Sequence, residues 1–140
     1  MAVVKDRFTN SDSKNQIYSD FLNDLNPHPV TGDVVRFVNE NAVSRSIRNL
    51  ITTNKGERLY QPDIGTDIYK MLFEPMSEGV SELLSTAIQR TIDDYEPRAK
   101  VISVNVAPDY EGNAYVVTIQ YMIINRQAPI ILNVTLTRVR

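Results

Sequence analysis

At Pro97 the sequence changes period. Upstream, Val80, Leu83, Leu84, Ala87, Ile88, Ile92 and Tyr95 recur at helical spacing as one apolar stripe, which predicts an amphipathic helix from Ser77 to about Tyr95. Ser77 is placed to cap it, and Glu78 and Glu82 lie near the positive end of its dipole. Downstream the period falls to two. Ile102, Val104 and Val106 alternate with Val101, Ser103 and Asn105, then Tyr115, Val117, Ile119, Tyr121 and Ile123 alternate with polar and smaller residues. Ile130, Leu132, Val134 and Leu136 repeat the pattern, and DYEGN and NRQAP supply the turns between runs. Three strands joined by short turns predict an antiparallel meander. One apolar sheet face behind an amphipathic helix sets the class as α+β, with helices packed on one face of a small C-terminal sheet.

Two shorter helices are expected ahead of the long one. Val43, Ile47, Leu50 and Ile51 share a face over about Asn41 to Thr53, and Lys55-Gly56 provides a stop. Thr66 is a candidate cap for a short helix with Ile68 and Leu72 one turn apart, closed by Pro75. Residues 1–38 differ in character. A short amphipathic piece around Ile17, Phe21, Leu22 and Leu25 leads into the turn-rich NPHPVTGD. The expected organisation is an N-terminal arm with a short helix over 1–38 and one α+β domain over 39–140.

Bulk properties exclude several classes. At 140 residues and 42% hydrophobic content, one packed core is feasible. A formal net charge of −2 gives no field for nucleic acid or an anionic membrane. The N-terminus lacks the apolar segment of a signal peptide, and no apolar run nears the ~18 residues that span a bilayer. Without cysteine there is no disulfide, thiolate zinc site or cysteine nucleophile. The single histidine, His28, sits between prolines in a loop, which removes histidine metal sites and Ser-His-Asp chemistry. NKGER lacks the second glycine of a phosphate loop and reads as a turn. Asn133-Val134-Thr135 fits a glycosylation acceptor but lies inside a strand pattern. No cofactor or metal is expected.

Three carboxylates, Glu57, Glu74 and Glu96, lie at element boundaries where an acid could face a cleft. A glycosidase needs one such acid with a raised pKa and a partner roughly 5 to 9.5 Å away. Each instead has a nearby cation, Arg58, Lys70 or Arg98, that would hold it ionised. The last strand carries little of the charge that blunts an edge. It is either covered by the N-terminal arm or open to exchange a strand with another chain. Tyr95 to Lys100, YEPRAK, also has two readings. Pro97 ends the helix at Glu96, and Glu96 and Arg98 then project to one side as a solvated ion pair or as a rigid two-charge epitope.

The run T-x-x-G-E-R-x-x-x-P-x-x-G over Thr53 to Gly65, LFEP at Leu72 to Pro75 and E-P-R at Glu96 to Arg98 occur here in order. In that combination the chain resembles the small baseplate wedge proteins, or sheath initiators, of contractile-tailed bacteriophages, over roughly residues 40 to 125. The family includes a baseplate component of type VI secretion systems, and some members are labelled lysozyme-like. The resemblance implies a structural, non-enzymatic subunit of the virion tail baseplate. Its implied partners are the helical core bundle made by other wedge proteins, the central hub and tube region, and the tail sheath subunit. It also implies that Glu96, Pro97 and Arg98 contact the core bundle and that the sheet templates the first sheath ring. The last strand, with Ile130, Leu132, Val134 and Leu136, is the expected pairing element. Charge reversal at Arg98 is expected to leave the domain folded while blocking assembly.

Overall fold

A computed structural model describes residues 17–21, 26–124, 126 and 128–138. The described residues group into two compact units that divide between Ala42 and Val43.

In the first unit, β1 (Ser19–Phe21) pairs antiparallel with β2 (Arg36–Val38). The amphipathic piece expected around Ile17 and Phe21 is thus a strand in its described part; Leu22 and Leu25 lie outside the described residues. Cross-strand pairing prevails here because Asn39, at φ +51, closes the ribbon. Its Oδ1 accepts the Ile17 amide at 2.9 Å, and its own amide donates to the Tyr18 carbonyl. The Arg36 guanidinium lies over the Phe21 ring, 5.9 Å from its centre. His28 organises the intervening turn: its Nδ1 accepts the Val30 amide at 3.2 Å, and its carbonyl accepts that of Gly32.

Helix α1 (Glu40–Thr52) buries Val43, Ile47, Leu50 and Ile51, the predicted face. Gly56, expected as the stop, lies in the following loop at φ +89 and donates its amide to the Pro62 carbonyl. Helix α2 (Ile68–Leu72) buries Ile68 and Leu72. Its cap position falls on Asp67, without a side-chain cap bond, because Thr66 turns inward and donates to the Ile51 carbonyl at 3.0 Å. Helix α3 (Glu78–Tyr95) is capped by Ser77, whose hydroxyl accepts the Val80 amide. Its buried stripe is Ser81, Leu84, Ile88, Thr91 and Ile92, while Leu83 faces solvent. Ser81 and Thr91 tolerate burial by donating to the carbonyls of Ser77 and Ala87, four residues back.

The meander comprises β3 (Ala99–Asp109), β4 (Ala114–Ile123) and β5 (Pro129–Thr137), in the order β3-β4-β5. Tyr115, Val117, Ile119, Tyr121 and Ile123 of β4 are buried on the helix-bearing face, and Val116 and Gln120 of the same strand are exposed. Ser44 of α1 bonds the Tyr121 hydroxyl at 2.6 Å on that face. On β3 the expected alternation breaks. A bulge between Val101 and Ser103 leaves Ile102 without a cross-strand partner and 51% exposed. Val101 therefore shares the inner face with Val104 and Val106, opposite Tyr121, Ile119 and Val117. An inserted residue reverses the facing of everything on one side of it.

Candidate functional site: the Glu96–Arg98 clip and the sheet edges

Pro97 removes the helical option for the residue before it, and Glu96 adopts φ −123, ψ 76 while its amide closes the last turn onto Ile92. The Ala99 amide donates to the Glu96 carbonyl, and the Ile124 amide donates to that of Arg98. The tripeptide is thereby tied to both the helix and the sheet. Arg98 grips Glu96 with two bonds, Nε to Oε1 at 2.5 Å and Nη2 to Oε2 at 2.7 Å. Ser46 of α1 adds a third hydrogen bond to the same carboxylate.

This pair is neither solvated nor a two-charge epitope. Glu96 is 2% exposed, whereas 31% of the Arg98 side chain remains accessible. Burial is the largest single influence on the Glu96 carboxyl and pushes its pKa up. The hydrogen bonds from Arg98 and Ser46, with the Arg98 charge, together outweigh it and hold the group below its ordinary 4.5. Glu96 is the buried member of the pair and Arg98 the partly accessible one. Reversing Arg98 would press a second carboxylate against a buried one, so the expectation that the fold tolerates that change is revised by the burial of Glu96.

The other two carboxylates are not drawn into this site. Glu57 pairs with Asn54 rather than Arg58: its Oε2 accepts the Asn54 amide at 2.9 Å and its Oε1 the Asn54 side-chain amide at 2.8 Å. Those two bonds lower its pKa. Lys70 pairs with Asp67 at 2.8 Å rather than with Glu74. Among the described residues no three His, Cys, Asp or Glu side chains cluster as a metal site, and no helix is long and apolar enough to cross a membrane.

The two sheet edges differ. Ile124 pairs with Arg98 and Arg138 with Asn113 by backbone bonds, which sets the alternation on both outer strands. On β3, the groups facing away from β4 belong to Ala99, Val101, Val104, Val106 and Pro108. The Ala99 amide is taken by Glu96, the Val104 carbonyl accepts Ser85 Oγ of α3 at 2.9 Å, Pro108 has no amide, and Ile102 bulges. On β5 Pro129, at the start of the strand, also faces outward without an amide; beyond it the outward groups belong to Ile131, Asn133, Thr135 and Thr137, in unbroken register with β4. Among the described residues no strand pairs there, and the Asn133 carbonyl has only a 3.4 Å contact from Arg48. Leu132, Val134 and Leu136, expected as pairing residues, are buried in the core with Ile130 half-buried beside them. The edge is instead built by the alternate set, which the period-two pattern contains once the facing is known.

With this geometry in view, a family model described as baseplate wedge protein gp25 matches residues 38–128. The chain belongs to that family. The baseplate wedge protein gp25 of Enterobacteria phage T4 is 31% identical over 111 residues, covering 79% of this chain and 83% of that one. A chain in the anti-feeding prophage baseplate superposes with a TM-score of 0.68 at 24% identity, covering 79% of this chain and 88% of its own length. A protein described as a candidate tail lysozyme from Geobacter sulfurreducens gives 0.67 at 22% identity, covering 72% and 92%. At those identities the two structures establish the shared α+β fold. Membership makes this gp25-family chain a baseplate wedge component of a contractile tail system.

Proposed function

We propose that this wedge subunit works without catalysis, docking on the helical core bundle of its wedge through Arg98 and templating the first sheath ring through the outer edge of β5. The carrying observation is the contrast between edges: β3 is interrupted along its length by a bulge, a proline and a side-chain cap, while β5, past Pro129 at its start, is regular and unpaired among the described residues. An extended segment of a sheath subunit laid along β5 would meet the amides and carbonyls of Ile131, Asn133, Thr135 and Thr137. Each hydrogen bond adds about 0.5–1.5 kcal/mol net. On the docking side, Glu96 and Pro97 fix Arg98 so that little side-chain entropy remains to be lost on contact. The virion tail baseplate of a phage is the setting favoured by the T4 relative. A glycosidase reading is disfavoured because Glu57 and Glu96 are both held ionised.

The test replaces Asn133 with proline, which removes an outward amide without touching the core. Sheath polymerisation on purified baseplates should fail while the variant still enters the wedge. Normal sheath growth on Asn133→Pro baseplates would overturn the β5 assignment. Clearing of peptidoglycan by the purified chain, abolished by Glu57→Gln or Glu96→Gln, would overturn the non-catalytic reading.

A further inference from the structure

The groove beside the open edge of β5 holds a charge that nothing among the described residues balances. It lies between α1 and β5, has a volume of about 350 Å³, and is lined by Arg48, Thr52, Asn133, Val134 and Thr135. Arg48 is exposed, and its guanidinium reaches the Asn133 carbonyl only at 3.4 Å. Among the described residues no carboxylate lies within ion-pair distance of it. The sequence around the groove supplies none: α1 has no acidic residue after Glu40, β5 has no charged residue, and no acidic residue follows Glu111. Thr52 commits its hydroxyl proton to the Arg48 carbonyl at 3.0 Å, which leaves Arg48 as the donor that faces the groove.

A strand added to β5 would lie about 4.8 Å beyond it. Directly opposed residues on paired strands project to the same face. Val134 is buried and pairs with Val117 on the helix-bearing face, so the guest residue opposite Val134 projects toward α1, into the groove beside Arg48. A guest amide would also compete with Arg48 for the Asn133 carbonyl.

We infer that Arg48 selects the guest: the strand that adds to β5 carries an aspartate or glutamate opposite Val134, and Arg48 pairs with that carboxylate. The inference rests on the β5 edge proposed for strand sharing and adds to it the sign of the charge the guest must carry, and where. A charge pair at an interface governs choice of partner and register more than raw affinity. The planar guanidinium suits a carboxylate, which it can grip with two parallel bonds. A second copy of this chain is rejected on the same ground. Its β5 carries no charge, and edge-to-edge pairing would bring a second Arg48 to the same face with no carboxylate between the two.

The test is capture of purified sheath subunits by baseplates carrying the full-length chain, measured against salt concentration. Arg48 is exposed, so Arg48→Gln, Arg48→Glu and Arg48→Lys should keep the wild-type unfolding midpoint. Arg48→Gln should weaken capture about tenfold and flatten its salt dependence, Arg48→Glu should weaken it further, and Arg48→Lys should retain most of it. On Arg48→Lys baseplates a carbodiimide should join the new amine to an aspartate or glutamate of the sheath subunit, located by mass spectrometry. Asn133→Pro keeps the two readings apart. If it blocks capture while Arg48→Gln and Arg48→Glu capture as wild type does, the β5 edge stands and the selection by Arg48 is overturned. If Asn133→Pro captures sheath normally, the edge falls and the selection with it. Tighter capture by Arg48→Glu, or captured sheath that never cross-links to the new amine, also overturns the inference. So does a concentration-dependent dimer of the wild type abolished by Asn133→Pro, since the occupant would then be a second copy.

Discussion

Arg98→Ala should destabilise the isolated protein even though Arg98 is partly exposed, and a second substitution should restore it. The single change leaves the Glu96 carboxylate, 2% exposed, with Ser46 as its remaining side-chain donor. Removing one partner of a fully buried pair costs about 3–5 kcal/mol. Because 31% of the Arg98 side chain is open to solvent, water can reach the vacated position, and the cost falls to about 2–3 kcal/mol. For a chain of this length that lowers the melting temperature by roughly 10 °C. Glu96→Met/Arg98→Met removes both charges and leaves no buried ion unsatisfied, so its stability should return to within about 1 kcal/mol of wild type. Urea unfolding at neutral pH of the wild type and Arg98→Ala measures the first effect, and Glu96→Met, Arg98→Met and the double variant close the cycle. An Arg98 single variant within about 0.5 kcal/mol of wild type, or a double variant as unstable as the sum of its singles, would refute the account of Glu96 as a buried anchor.

Three further outcomes follow from the same geometry. The Glu96 pKa is lowered on folding, so its contribution is complete above the ordinary 4.5 and lost as pH falls through the depressed value; Glu96→Gln should flatten the acid limb of a stability–pH curve, and an unchanged slope would contradict this. The Tyr115 hydroxyl is buried with no hydrogen-bond partner, so Tyr115→Phe should stabilise by about 1 kcal/mol in a thermal melt, whereas a lower midpoint would mean the hydroxyl is satisfied. Gly65 sits at φ +131 against the Thr53 carbonyl, so Gly65→Ala should cost more than about 2 kcal/mol in urea unfolding. A neutral effect would show that the loop yields.

The elements legible in the sequence were those with a repeated period. The α3 stripe, the Val43–Ile51 face and the meander are present as spacing because burial on one face acts on every turn or every second residue. What spacing could not carry is a single-residue event. The bulge at Ile102 looks apolar and in phase, and only the cross-strand register exposes it. Thr66 has the chemistry of a helix cap, yet the buried Ile51 carbonyl takes its hydroxyl. The clip was readable in part. Pro97 dictates the extended backbone that sets Glu96 and Arg98 side by side, but the burial of Glu96 and its hydrogen bond from Ser46, on a helix far back in the chain, are tertiary events.

If the sheet shares a strand as proposed, its unlike edges give the molecule a valence of one. On the Ser85 side, the cap, the missing amide at Pro108 and the twist introduced at Ile102 leave no straight run of donors and acceptors for a guest strand. On the other side the spacing is regular, at every second residue from Ile131 to Thr137. On that proposal, a subunit built this way would open a series of strand-sharing contacts, with no matching face among the described residues for propagation in reverse. Under the strand sharing proposed above, growth from it would have one direction, set within a single chain before any neighbour arrives.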